Sequence, residues 1–256
     1  MAHFILVGDS EKIHRISYEI KLDISDMEII DVADNVKACQ TAVSLVVSGA
    51  SEALMKGLVD TSVIMKAVLD KEAGMRTDKI LSHLALFAVP NYHKLLFVTD
   101  AAINIAPDIV AKKSIIQNAA KAVANLGVSN PKVALLSAKE KVDPKIPSSI
   151  DAAELVNQYK NGEIQGCIVD GPLALDNAVS KESAEIKGIN SEIAGDADIL
   201  VCPDIASGNI LYKALSFLAG AKNGGVVLGA KKPIILTSRA DSAESKLISI
   251  AMGILS

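Results

Sequence analysis

Ser238 and Arg239 stand just past an apolar run in ILTSRADSAE, and this is a placement from which chemistry on an anion can be done. A guanidinium suits a phosphate or a charge developing beside a thioester, because its planar fork donates two hydrogen bonds and never deprotonates. Ser238 is either a donor to a developing oxyanion or a polar strand end. Asp241 and Glu244, three apart, are either a capping pair for the last helix or a source of the proton acceptor.

A second segment, PDIASGN, holds Ser207, Gly208 and Asn209 ahead of Lys213. The expected helix starts at Gly208, whose small size lets the first free N–H groups face an anion. Asn209 and Lys213 are four apart and share a face. The alternative is a Ser207 cap with a solvated Lys213. The spacing fits neither a dinucleotide fingerprint nor the NTPase phosphate loop. Further polar residues follow apolar runs: Lys56 and Gly57, Thr99 and Asp100, Asp170 and Gly171, Pro203 and Asp204. In a parallel sheet such positions are strand carboxyl ends, so these groups are expected to converge at one edge.

The elements that must hold them alternate along the chain. FILVGD, MEIIDV and ALMKG each precede an amphipathic stretch, the third beginning at Thr61. LSHLALFAV and KLLFVTDA flank a turn at Pro90, Asn91 and Tyr92 and are expected to pair as a hairpin. A long helix is expected from Asp108 to Leu126. KVALLSA, the helix DAAELVNQYK, GCIVDG, a helix from Asp176, DILVCPD, the helix from Gly208, GGVVLG, KPIILTS and a helix from Ser242 complete the series. Strand and helix in alternation predict an α/β fold with mostly parallel sheets. We expect a first lobe over residues 1–112, rejoined by 240–256, a second over 113–239, and an active site in the cleft between them.

Composition excludes several functions. The 256 residues are half hydrophobic with 3% aromatics, and the formal charge of −4 is spread without blocks. Neither nucleic acid nor an anionic membrane is an expected partner. No apolar run reaches 18 residues, and the first residues lack the basic flank of a signal peptide, so the expected location is the cytoplasm. Cys39, Cys167 and Cys202 sit in apolar runs and read as buried reduced thiols. His3, His14, His83 and His93 have no ligand spacing, so no metal is expected.

GLVDTSVIMKAVLDKEAGMRTDKILSH, FVTDAAINIAPD, DGPLALDNAVS, KGINSEIAGDADILVCPDIASGNILYKAL and LTSRADSAESK together resemble, in order and spacing, the phosphate acetyl/butyryltransferase family, the butyryl branch in particular. The resemblance implies a two-lobed α/β/α fold like that of isocitrate and isopropylmalate dehydrogenases. It implies a homodimer or higher homo-oligomer, and transfer of a short acyl group between coenzyme A and phosphate. Coenzyme A is then a substrate, and no cofactor is bound. The family's Ser-Arg pair falls on Ser238 and Arg239. The acetyl branch has an aspartate proposed as base where this chain has Ser245, so Asp241 or Glu244 must be considered. A family arginine falls on Lys66, which keeps the charge and loses the fork. Lys56, Thr61, Asp100, Asp170, Gly171, Ser207, Gly208, Asn209 and Lys213 complete the expected substrate-binding set. Butyryltransferase-like chains usually carry one more strand and helix ahead of the segment matching FILVGD, so this chain is either a short member or one lacking an edge unit. Two rivals stand beside this reading. One is a metal- and nicotinamide-dependent dehydrogenase using Asp170, Asp176 and Asp204, although the arginine cluster for a dicarboxylate is missing; the other is a non-catalytic module binding acyl-CoA or phosphate.

Overall fold

A computed structural model describes residues 3–237 and 241–256. The alternation of apolar and amphipathic segments becomes β1 (Ile5–Gly8), α1 (Ser10–Ile20), β2 (Glu28–Asp31), α2 (Asn35–Val47), β3 (Leu54–Met55) and α3 (Thr61–Leu69). The hairpin strands are β4 (Ser82–Ala88) and β5 (Leu96–Thr99), followed by the long α4 (Ile109–Asn125) and β6 (Lys132–Leu136). Then come α5 (Pro147–Lys160), β7 (Ile168–Leu173), α6 (Leu175–Val179), α7 (Lys181–Ile186), β8 (Ile199–Val201) and α8 (Ile205–Lys213). A π-helical turn (Ala214–Leu218), β9 (Lys222–Leu228), β10 (Ile234–Ile235) and α9 (Ala243–Leu255) close the described chain. Aspartates start several helices: Asp9, Asp34 and Asp108 accept from Lys12, Lys37 and Ala111 N–H at 3.0, 2.8 and 2.8 Å. Each of these bonds satisfies a donor that the first turn cannot.

Several boundaries differ from the expected ones. α5 begins at Pro147, four residues early, because proline at the first helical position loses no needed N–H. The helix expected from Asp176 is two short ones, broken where Ser180 leaves helical geometry to cap α7. Asp170 and Gly171 do not follow a strand; they lie inside β7, which runs on to Leu173.

The main sheet has the order β3-β10-β9-β4-β5-β8-β6-β7, and β1 and β2 form a parallel pair of their own. β3 and β10 run parallel, as do β5, β8, β6 and β7, while β10-β9, β9-β4 and β4-β5 are antiparallel. Three successive reversals set β3 and β10 against the direction of β5. The expectation of a single polar edge is therefore overturned. Lys56 and the segment after β10 leave one edge of the sheet, whereas Asp100 and Asp204 leave the other.

Side chains alternate across the strands, so each face has its own core. Leu84 of β4 and Val226 and Leu228 of β9 join α4, α5 and α9 in one apolar cluster. On the opposite face Ala85, Phe87, Val98 and Leu200 pack with residues of α6 and α8. Also on that face, Val227, Ile234 and Leu54 pack with α2 and α3 in a separate cluster. The three layers are thus α/β/α, and two distinct cores share one face. Their seam falls between β4 and β9.

At the edge where β6 and β8 begin, Asp196 gathers Lys132 at 2.6 Å, His93 at 2.7 Å and Lys94 at 3.1 Å. Burial opposes its ionisation, but hydrogen bonds from Lys132, His93 and Lys94 prevail and hold the carboxyl far below the usual range. A folded-state pKa below the unfolded value of about 3.9 gives stability that is present above that value and lost as pH falls through the folded one. Acid unfolding of Asp196→Asn, followed by circular dichroism, should show a less stable protein at neutral pH. Its gap from wild type should narrow progressively as pH falls below about 4. An unchanged gap would remove Asp196 from this role.

Candidate active site

The seam is floored by His83 from β4 and Gly225 from β9, which lie on the same face as Ala85 and Val227. A Cβ on Gly225 would meet His83 Nε2 at 2.8 Å, so the glycine makes room for the imidazole. His83 is only 8% exposed, and its Nδ1 is buried without a hydrogen-bond partner. The Tyr212 ring of α8 stands edge-on to it at 6.0 Å. Burial pulls the imidazole pKa below its ordinary value, while the nearby carboxylates of Asp100 and Asp241 push it up. Burial, then Asp241, raises the Tyr212 hydroxyl to about 12. That hydroxyl lies 3.2 Å from Asn223 Oδ1, and Asn223 Nδ2 donates to Ser216 Oγ at 3.0 Å in the π-helical turn.

Asp100, buried at the end of β5, accepts from the N–H groups of Ala102 and Ile103 at 2.8 and 3.0 Å and from Asn104 Nδ2 at 2.6 Å. It organises the loop beside His83. α8 leans on that loop. Its N-cap is Asp204, not Ser207, and the helix begins three residues before Gly208, which corrects the expected start. Asp204 accepts from Ser207 N–H at 2.8 Å, and Gly208 N–H donates to Asp204 O at 3.1 Å. A resident carboxylate thus occupies the positive end of the helix, its pKa lowered first by the Ser207 N–H. Gly208 serves close packing instead: a Cβ there would overlap Asp100 O and lie 3.0 Å from Ala101 Cα. Asn209 Nδ2 donates to Ala101 O at 3.2 Å, and Lys213 is exposed.

The remaining expected residues are scattered. Lys56 is buried, with its ammonium 3.3 Å from the carbonyls of Gly57 and Val59. Thr61 opens α3, and both it and Lys66 are exposed. Asp170 accepts from Gly171 N–H at 2.8 Å on the edge strand β7, three strands from β5 and so about 14 Å away. Gly171 passes so close to β6 that a Cβ would meet Leu135 O at 2.9 Å. The carboxylates offered to a metal are separately engaged: Asp176 with Lys187 at 2.8 Å, Asp204 with Ser207, Asp170 with its neighbour. Ser242 caps α9 through Ser245 N–H at 3.0 Å, so Asp241 and Glu244 are not its capping pair. Glu244 is exposed and pairs with Lys222 at 2.6 Å, whereas Asp241 is half-buried toward His83 and Tyr212. Ser238 and Arg239 lie outside the described residues. All three cysteines are free and buried, and burial raises Cys202 to about 12, far from a reactive thiolate.

A model of the family described as Phosphate acetyl/butaryl transferase matches residues 33–254. The chain belongs to this family. The phosphate butyryltransferase of Clostridium acetobutylicum is 46% identical over 255 residues, covering 100% of this chain and 85% of that protein. The phosphate acetyltransferase of Rhizobium meliloti is 47% identical over 251 residues, covering 98% of this chain and 79% of that protein. Overall identity therefore does not separate the two branches. The crystal structure of a branched-chain phosphotransacylase from Enterococcus faecalis superimposes with a TM-score of 0.85 at 34% identity, over 98% of each chain. His83 and Tyr212 lie within the segments that carry the family resemblance, but the sequence reading assigns no role to them or to Asn223. The available signal was an ionisable ring inside the apolar strand LSHLALFAV.

Proposed function

We propose that this chain transfers a short acyl group, butyryl or one of similar size, between coenzyme A and inorganic phosphate. The observation that carries this reading is the 46% identity with a phosphate butyryltransferase across the whole chain. The seam between the two same-face cores is proposed as the cleft between two lobes, in an isocitrate/isopropylmalate dehydrogenase-like arrangement. Support comes from Asp100, just past β5, and Asp241, beyond β10, both acting on the charge of His83 although β5 and β10 end at opposite sheet edges.

In the proposed reaction the thiol and the acyl phosphate are held together, and the sulfur attacks the acyl carbon directly, without an acyl-enzyme. Arg239 neutralises phosphate, and Ser238 donates to the tetrahedral oxyanion. Asp204 occupies the α8 N-terminus, so that helix is left out of phosphate binding. No bound cofactor is required. Thiol release from butyryl-CoA and acetyl-CoA, with and without phosphate, tests the proposal. Phosphate-dependent release supports it and ranks the acyl chains; equal release without phosphate points to a hydrolase, and none to a binding module.

Asp241 is the proposed acceptor of the thiol proton, because it is half-buried and within electrostatic reach of His83 and Tyr212, while Glu244 is exposed and paired with Lys222. Asp241→Asn should reduce kcat by about 100-fold. Glu244→Gln should stay within about twofold of wild type, since exposed ion pairs contribute little. The reverse ranking in the thiol assay would exchange the two roles.

We also infer a homodimer. Ile210, Phe217 and Leu218 expose 69%, 76% and 87% of their surface on α8 and the turn after it, an apolar face of the kind that subunits cover. Sedimentation equilibrium should give twice the 26.8 kDa chain mass, and a strict monomer would refute the inference.

A further inference from the structure

Side chains alternate along β4, so Ser82 turns to α4 on the face opposite His83 and the seam. There Asn118 of α4, only 5% exposed, donates from Nδ2 to Ile80 O and to Ser82 Oγ, each at 3.0 Å. Asn118 lines a cavity of about 440 Å³ bounded by α4, the segment before β4 and the turn from β9 to β10. That volume lies in the range of small-molecule sites. Hydrogen bonds fix its rim: the Thr77 hydroxyl donates to Gly229 O, and Lys231 N–H donates to Met75 O at 2.9 Å. Gly229 has a φ of +93°, and a Cβ there would overlap Ile80 O, so the turn closes on the segment before β4 at a position only glycine fits.

Three lysines from three separate elements line this cavity: Lys79 before β4, Lys121 on α4 and Lys231 in the turn after β9. Lys94, Lys112, Lys132 and Lys187 each meet a carboxylate oxygen within 2.8 Å, whereas none of these three has an ion-pair partner among the described residues. Asp78 is the single acidic side chain in the lining. Ammonium groups gathered around one hollow without carboxylates raise the local positive potential, and an anion between them is favoured. We propose that this cavity binds the di- or triphosphate group of a small molecule, at a site separate from the seam. Orthophosphate carries at most about two charges near neutral pH, so linked phosphates match three spread cations better. The lysines serve as charge-assisted donors to the phosphate oxygens. The site does not depend on the acyl-transfer reading, and no covalent step is involved.

The test is isothermal titration calorimetry with inorganic pyrophosphate and with ATP, on wild type, Lys121→Ala/Lys231→Ala and Arg239→Ala. Wild type should bind either probe saturably, with a Kd of about 1 mM or below that rises with salt. Tighter binding of ATP marks a nucleotide as the ligand, and equal affinities mark the linked phosphates alone; both support the proposal. The double variant should bind at least about 30-fold more weakly. All three lysines are exposed, so their truncation leaves the core intact, and kcat and both KM values for acyl transfer should stay within about twofold. Arg239→Ala should keep the binding. A wild type with no saturable binding of either probe, or a double variant that binds like wild type, overturns the proposal. Loss of binding in Arg239→Ala also overturns it, because the phosphates would then sit with the reacting groups.

Discussion

Arg239→Ala is expected to lower kcat/KM for butyryl-CoA and phosphate by roughly 1000-fold while leaving the melting temperature within a few degrees of wild type. Phosphate arrives with two charges and leaves the acyl carbon with charge developing on the bridging oxygen. A guanidinium suits both needs at once, since it offers two parallel donors as well as a charge. The overall charge of −4 makes a local cation necessary for any anionic substrate. Other cations of the expected set are poorly placed: Lys56 is turned to backbone carbonyls, and Lys66 and Lys213 are exposed. Arg239→Lys should recover part of the rate, keeping the charge but not the fork. Full activity in Arg239→Ala would move phosphate binding elsewhere.

Gly208→Ala should destabilise the fold by about 3 kcal/mol, with an unchanged KM for phosphate in the fraction that folds. The new Cβ would be driven into the carbonyl of Asp100 and against Ala101 Cα, both of them backbone, so no side chain can turn aside. Either α8 lifts from β5 or the loop held by Asp100 gives way. Both changes reach Asn209, whose amide is bonded to Ala101 O. Urea unfolding measures the cost. A raised KM for phosphate at wild-type stability would instead restore Gly208 as an anion donor, a role the Asp204 cap argues against.

Most elements were legible because each apolar run has a punctuating residue: Asp34 before α2, Asp108 before α4, Pro90 in the β4-β5 turn. Sheet direction was not legible. Strands such as LFVT and GGVVL read alike whether their neighbours run with or against them, and the three antiparallel pairings in mid-sheet decided which ends face the seam. The ASGN segment misled for a local reason. A glycine near a helix start fits an anion site and a close helix-to-loop contact equally well, and only the position of Asp100 distinguishes them. His83 went unassigned because its meaning depends on residues far along the chain: Tyr212, Gly225 and Asp241. Asp241 itself was legible as an acid, and Ser242 freed it from capping.

The fate of the acyl group is the most direct measurement. Butyryl-CoA and phosphate are incubated with the protein, free thiol is measured with a colorimetric reagent, and acyl phosphate is trapped with hydroxylamine as the hydroxamate. Transfer to phosphate predicts hydroxamate equal to thiol at every time point, with neither formed when phosphate is omitted. Thiol without hydroxamate, at any phosphate concentration, would contradict it.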